Sequence, residues 1–536
     1  MSRLAARTAF LFALPLLALP ALSNGAGAQT NTNTPVANTA IQQRMRWQDF
    51  VSGPDGDKRL ASLTNAVAKM KSLDNSPVDS ADFRRSWKYW ANIHGYLGPN
   101  SSFGTVAAQK NRLNSLQLSQ FLPYLTGANG NPGFQDQTPP DDIAKAVWAT
   151  CQHSPQGQQL NFFGWHRMYL YYFERVLRWA ANDPTLTLPY WDYTDPEQTA
   201  LPDAFQDPNS TLYDWRRSEA LNEGLATINP QATDIDGPLN TDTSFLQYEG
   251  DIETGVHGNV HCSVGQTCPI PVMGLVGVAA NDPIFYEHHA NIDRMWACWQ
   301  HAHPDEQPGD WQDQQFSFVD ENGALVKKAV KDFIDTKALG YVYDNDSNCA
   351  RTPAPNVVVA QADNSAPGGG APATATAPIA LNATTTSVNI SVQQPKLAAP
   401  AGGGAPEKAT LVLRDVSSQS DPGALLSVFV ARKDAPDVRQ HVGTINWFGV
   451  FDPMDGMHHH DGRVARTFRF DLSRALQALK LDNARELTVT FEATSGLVAS
   501  TKAGSPKGGG AKGVAPAPTV QFLTGAGLTV GSVDIQ

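Results

Sequence analysis

The chain has 536 residues, of which 41% are apolar and 17% charged, with a formal net charge of −12. That length exceeds a single ordinary domain, and two or three with real cores are expected. The acidic balance, with no long basic run, excludes nucleic acid or an anionic membrane as the main partner.

Residues 1–28 have the form of a secretory signal peptide. Arg3 and Arg7 precede an apolar run at 9–22, and Ala26-Gly27-Ala28 offers a small-residue cleavage site. The run is short for a membrane span, and no other stretch approaches about twenty apolar residues. A secreted or periplasmic protein without a membrane anchor is expected. From Arg44 the pattern becomes helical. Leu60, Leu63, Val67 and Met70 make an apolar stripe within 57–73. Residues 79–95 read as a second helix carrying Phe83, Trp87, Trp90 and His94, ended by Gly95. Loops over 96–140 surround a short helix near 113–122, and 141–151 is a short helical run before His153.

The stretch NFFGWHRMYLYYFERVLRWAA (161–181) is long and apolar all round, the mark of a buried helix, and Asp183-Pro184 closes it. LPYWDYT (188–194) is an aromatic turn, and 195–250 is rich in loops. Residues 255–261 and 282–301 complete the helical half. In DPIFYEHHANIDRMW (282–296), Asn281 or Asp282 caps the helix and Pro283 suits its first position. Phe285, His289 and Asp293 recur every four residues and share one face.

Beyond Cys349 the composition shifts. Residues 351–378 are rich in Pro, Ala and Gly and read as a linker. Short alternating runs follow at 387–392, 410–416, 425–432, 466–472, 487–493 and 520–523, a pattern for a β-sandwich or small barrel. The expected organisation is a signal at 1–28, a mainly α domain at 29–350, the linker, and a β-rich domain at 379–536.

Five cysteines fit an oxidising compartment, and the number is odd. Cys262 and Cys268 lie close in one loop; Cys298 and Cys349 sit at the two ends of one segment. Two disulfides on that pattern leave Cys151 unpaired, although four cysteines allow three connectivities.

Nine of the 13 histidines lie in the helical half. His257 and His261, four apart, put two imidazoles on one helical face, where a single metal takes both. His289 is the third candidate. Its neighbour His288 lies about 100° round the helix and is expected to point elsewhere. Asp293 is expected to orient the set as a hydrogen-bond acceptor. His166, in the buried aromatic helix, makes a second set with His94 and His153. Two three-imidazole sets with no zinc-type His-Glu pair suit copper or another transition metal that favours imidazole. Any one of the six alone is more often a core or surface histidine; their joint appearance carries the reading.

With these residues in view, the chain resembles the type-3 dicopper proteins of the tyrosinase and polyphenol oxidase (catechol oxidase) family, of the bacterial type with a C-terminal β-domain. The carrying motifs are FFGWHRMYLYYFE (162–174), HGNVH, and DPIFYEHHANIDRMW. The resemblance spans roughly 44–350, and Tyr341 and Tyr343 match the tyrosine pair that closes the family's catalytic domain. It implies an antiparallel four-helix core around a copper pair, long loops, and a β-sandwich-like C-terminal domain. It implies His94, His153 and His166 as ligands of the first copper, and His257, His261 and His289 of the second. Cys151-Gln152-His153 resembles the family pattern in which the cysteine forms a thioether to the second histidine; a free thiol is the alternative.

The implied activity is oxidation of o-diphenols to o-quinones by dioxygen, with o-hydroxylation of monophenols left open. Small phenols and dioxygen are the implied partners; the oligomeric state is not implied. Phe285 is expected to face the pocket and stack a phenol. Glu253 matches a glutamate that holds a water near His257. Gly258 stands where good monophenol hydroxylases often carry Asn. Val276 stands where some relatives place a bulky Phe, which leaves the entrance open. Relatives with a C-terminal domain are often latent, and NWFGVF (446–451) offers Trp447, Phe448 and Phe451 as a plug. His458–His460 read as a solvated loop, with copper transit as the weaker option. A haemocyanin-like oxygen carrier and an o-aminophenol oxidase are the rival readings on the same site.

Overall fold

The computed structural model describes residues 41–127, 133–153, 161–242, 244–304, 309–346, 357–359, 378–391, 409–451, 465–481, 486–500, 520 and 522–536. The expected signal peptide, Cys349, His458–His460 and most of the expected linker lie outside them.

The helical half is organised on α1 (Gly56–Ser72), α2 (Trp87–His94), α3 (Phe162–Ala181), α4 (Gly258–Val264) and α5 (Ile284–Ala302). α1 packs on α2 and α3, and α3 packs on α5. Leu63, Val67 and Met70 of α1 are buried in this core, as their spacing implies, and Leu60 packs at its margin. α3 ends on Asn182 at φ 51°, with the Asp183 N–H returning to the Arg178 carbonyl; that left-handed cap satisfies the last turn.

Two helical expectations are corrected. The stretch 79–95 is two helices, Ala81–Arg84 and Trp87–His94. Ser86 restarts the helix because its hydroxyl accepts from the Tyr89 N–H, as Ser80 does from Phe83. The stretch 255–261 is not one regular helix either. Gly255 adopts a non-helical conformation (φ −93°, ψ −110°) inside a wide turn over Glu253–His257, and α4 starts only at Gly258.

The helical half is closed by a strand at Gln42–Arg44 that pairs in parallel with Tyr341–Tyr343. Behind it lies a buried carboxylate. Asp293 Oδ1 accepts from Arg167 Nε at 2.5 Å, and Oδ2 accepts from Tyr343 at 2.6 Å, Tyr341 at 2.7 Å and Arg44 at 3.2 Å. Burial alone would raise its pKa; Arg167, Arg44 and Tyr343 outweigh that and hold it below the ordinary carboxylate value.

The β-rich half contains β1 (Thr385–Ser391), β2 (Thr410–Val416), β3 (Leu425–Arg432), β4 (Ala435–Ile445), β5 (Arg466–Asp471), β6 (Glu486–Thr494) and β7 (Ser532–Ile535). Val357–Val359, β4, β3, β6 and β1 form one sheet, in that order. β5, β2 and β7 form another. Val428, Val430 and Phe491 of the first share one core with Leu411, Leu413 and Phe468 of the second, which gives the sandwich-like packing.

Three details differ from the sequence reading. β4 is an additional strand in which Asp437, Arg439, Gln440 and His441 interrupt the alternation. Val357–Val359, inside the stretch read as linker, pairs with β4. Val520, Phe522 and Leu523 are not in a strand.

The second core does not stop at the β-rich half. It takes in Leu97, Phe103, Leu275, Val276 and Val278 of the helical half. Ala226–Ile228 also pairs with Leu497–Ala499 across the two halves. Near this seam Asp242 and Asp251 share a hydrogen bond, with Arg469 of β5 beside Asp251. Burial, and for Asp242 also the charge of Asp251, raises both carboxyls. No described helix is long and apolar enough to cross a membrane.

Two predictions follow from these buried acids. Asp293→Asn leaves Arg167 and Arg44 without their shared charge and should lower unfolding free energy in urea by about 3 kcal/mol. Asp242→Asn has the opposite sign. A carboxyl raised on folding binds more protons folded than unfolded, so it destabilises increasingly as pH rises above the unfolded value. The variant should therefore gain about 1–2 kcal/mol at pH 8 and little at pH 4, read from melts across that range.

Candidate metal centre

The two histidine sets come from elements that the core holds rigidly. His94 is the last residue of α2, His166 lies in the second turn of α3, and His153 follows the short helix Asp142–Val147. Their ring centroids are 5.8 Å (94–166), 6.2 Å (94–153) and 6.4 Å (153–166) apart. In the other set, His257 stands just before α4, His261 lies within it, and His289 lies in α5. Those rings are 4.6 Å (257–261), 5.2 Å (257–289) and 5.7 Å (261–289) apart. The sets meet where His166 and His289 stack at 4.3 Å with 12° between planes. The six rings expected from spacing are thus brought into one cluster.

The surroundings prepare five of these rings as neutral donors; at His153 burial also disfavours the charge, but Cys151 and Glu253 outweigh it and raise the ring to about 10. His166 Nδ1 lies 2.7 Å from the Phe162 carbonyl, His261 Nδ1 2.7 Å from Met273, and His257 Nδ1 3.2 Å from Glu253. A carbonyl only accepts, so each Nδ1 carries its proton and each Nε2 offers a lone pair. Burial first, then neighbouring histidines, pushes His94, His257, His261 and His289 well down, and His166 to about 3. His261 Nε2 and both ring nitrogens of His289 are buried without a hydrogen-bond partner. Buried polar atoms left bare in this way fit a metal. Donor atoms of His257, His261, His288 and His289 lie within 4.8 Å of one another, as do those of His94, Cys151 and His166.

Several expectations are corrected by this geometry. His288 does not point away from the cluster. Its ring lies 4.7 Å from His261 and stacks on His257 at 5.4 Å. The reason is that the His257 and His261 rings reach both residues of α5, so a rotation of one residue still meets imidazole. Its Nδ1 is 2.8 Å from the Tyr193 hydroxyl. Asp293 does not orient His289, whose Nδ1 has no partner; the arginines and tyrosines occupy it. Glu253 belongs with the first set, where Oε1 accepts from His153 Nδ1 at 3.1 Å. Phe285 does not face an open pocket. It is fully buried, wedged 4.2 Å from His289 and 4.7 Å from His94, with Tyr286 behind it.

Cys151 is a buried free thiol, 3.4 Å from His153 Nε2 and 3.5 Å from His166 Nε2. Cys262 and Cys268 form a disulfide directly after His261. Cys298 is disulfide-bonded.

The entrance beside Val276 is covered. Of the three plug candidates, Phe448 reaches the histidines: its ring stacks on His261 at 4.0 Å and 12°, and lies 5.3 Å from His257. Trp447 faces the β-rich core and donates to the Ala424 carbonyl. Phe451 packs near Trp447 and its carbonyl accepts from Arg112. Gly258 lies beneath Asn446 of the same loop.

Comparison with known proteins places this geometry. The family description "Common central domain of tyrosinase" matches residues 84–244 and 206–302, and "Polyphenol oxidase middle domain" matches 305–355. The tyrosinase HcTyr1 of Hahella sp. (strain CCB-MM4) is 33% identical over 326 residues, 54% of this chain and 61% of that protein. The chloroplastic polyphenol oxidase A1 of Vicia faba is 33% identical over 223 residues, 34% of this chain and 36% of that protein. The chain thus spans less than two thirds of the length of these relatives. Among solved structures, a recombinant latent aurone synthase (polyphenol oxidase) aligns over 93% of this chain and 90% of its own, with a TM-score of 0.57. Its sequence identity is 20%, so it speaks for the fold alone. With its paired histidine sets and these matching regions, the helical part of the chain, residues 84–355, belongs to the tyrosinase and polyphenol oxidase family, a family of type-3 dicopper proteins.

Proposed function

We propose that this protein is a copper-dependent phenol oxidase that uses dioxygen to convert o-diphenols to o-quinones. The observation that carries the reading is the stacked contact of His166 and His289, which joins two buried imidazole sets into one paired site. His94, His153 and His166 would hold one copper; His257, His261 and His289 would hold the other. Bound copper supplies the dioxygen binding and the electron transfer.

The chain's own residues do the positioning. The carbonyls of Phe162, Glu253 and Met273 fix which ring nitrogen is free. Glu253 keeps the His153 ring turned by accepting from Nδ1. Phe285 spaces His94 from His289 and excludes water between them. The parallel stacking of Phe448 on His261 marks the place a phenol ring would take. Gly258 presents no side chain beside His257 to hold a water, and Glu253 is engaged by His153. Catechols are therefore the substrates proposed, ahead of monophenols. Phe448 lies where it shields the site, so the intact chain is proposed to be latent until the β-rich half is released by cleavage within 351–378. The thioether of Cys151 to His153 is part of this reading, supported by the close sulfur. The signal-like residues 1–28 support secretion or a periplasmic place.

Copper analysis with an oxygen electrode tests the reading. The expected result is about two copper ions per chain and oxygen uptake that consumes catechol. Reversible oxygen binding without catechol loss would make it a carrier instead. His289→Ala should lower copper to about one per chain and abolish uptake. Phe448→Ala should raise catechol oxidation by the uncleaved chain about tenfold, with little further gain on cleavage.

A further inference from the structure

Above the metal centre one buried amide of the β-rich half engages the helical half. Asn446, just after β4, is fully buried. Its Nδ2 donates to the Thr254 carbonyl at 2.7 Å, the Gly255 carbonyl at 3.2 Å and Asn259 Oδ1 at 2.9 Å. Its Oδ1 accepts from the Phe448 N–H at 3.1 Å. Asn259 is itself held, because its own Nδ2 donates to the Ala232 carbonyl. The acceptors thus come from the wide turn that ends in His257 and from the first turn of α4. One side chain of the β-rich half satisfies the irregular backbone beside the metal centre, and its other end sets the backbone of Phe448.

The amide fits only because residue 258 is glycine. A Cβ built on Gly258 would overlap Asn446 Oδ1 and lie 2.7 Å from Cγ and 2.8 Å from Nδ2. Asn446 has no slack to yield, since its hydrogen bonds fix both ends of the amide. Gly258 itself is helical, so its lack of a side chain serves space and not backbone freedom.

We propose that Gly258 is a notch and Asn446 the latch that seats in it, so that position 258 sets how firmly Phe448 is held over the site. The inference rests on the proposed shielding by Phe448 and assigns a second role to a position otherwise read only for substrate choice. Any side chain at 258 displaces Asn446, and with it Phe448 two residues on. In this architecture a tight plug and a side chain next to His257 exclude each other.

Hydrogen exchange on the full-length, copper-free chain tests this without turnover. In Gly258→Ala, amides of 446–451 should exchange about tenfold faster, while those of α5 keep their protection. Asn446→Ala should do the same. The double variant should be no faster than the faster single, because an absent latch cannot clash with the notch. Wild-type exchange in Gly258→Ala, or multiplied effects in the double variant, overturns the proposal. Should Gly258→Ala fail to fold, Asn446→Asp decides, since it keeps the size and loses both N–H donors; unchanged exchange there overturns the latch. With copper bound, the variants should raise catechol oxidation by the intact chain, and add nothing in a Phe448→Ala background. A loosened loop in a chain that never oxidises catechol upholds the latch and overturns the oxidase reading. Catechol oxidation with an unmoved loop does the reverse.

Discussion

The carboxylate of Asp293 is the constraint on which the helical half turns. It sits one turn beyond His289 on α5, out of water, and receives Arg167 from α3, Arg44 from the N-terminal strand, and Tyr341 and Tyr343 from the closing strand. A buried charge is tolerated only when its lone pairs are filled by donors of good geometry. Four donors from three distant segments therefore fix the rotation of α5 against α3. That rotation is what brings the His289 ring flat against His166. The orientation of the histidine cluster is held from outside it, by the carboxylate of Asp293.

Inside the cluster the same desolvation works differently. Imidazoles deprived of water lose their tendency to protonate, and their crowding adds to the effect. Helix geometry then supplies the acceptors: the carbonyls of residues 162 and 253, one turn before His166 and His257, take the Nδ1 protons. Met273 does the same for His261 from the loop after the Cys262–Cys268 disulfide. The outcome is a nest of largely neutral rings, in which His261 Nε2 and both nitrogens of His289 have no hydrogen-bond partner and the Cys151 sulfur lies against His153 and His166. Phe285 completes it from below as an apolar spacer, and Phe448 from above.

The upper side belongs to the β-rich half. Its core runs on into Leu275, Val276 and Val278, so the loops that line the entrance are also core for the sandwich. Phe448 is placed by that shared packing, by Arg466 on its carbonyl, and by the amide of Asn446. Wide turns like Glu253–His257 leave backbone carbonyls that a regular helix would use. Here the second half of the chain supplies their donors.

Much of this was legible in the residue order. The stripe of α1, the aromatic run of α3 and the spacing of EHHANID follow from short-range periodicity, and their elements lie where that periodicity puts them, whereas HGNVH straddles the wide turn and the start of α4. His166, His257, His261 and His289 are legible the same way, because a face of a helix is a local property; His94 and His153 follow from the resemblance to the family. Other features carried no such signal, or only a weak one. Ser86 marks the break before α2 only by a cap read as part of a longer helix. β4 carries Asp437, Arg439, Gln440 and His441 in its first two thirds, which hides its alternation. The partners of Asp293, the place of His288 beside His257, and the seating of Asn446 over Gly258 join residues 31 to 249 positions apart. The sequence by itself determined most of the helical elements and the faces on which their histidines stand. The tertiary structure alone decided which buried polar group meets which, because those partners are chosen by the packing of distant segments, where an unsatisfied donor or acceptor costs more than any local preference returns.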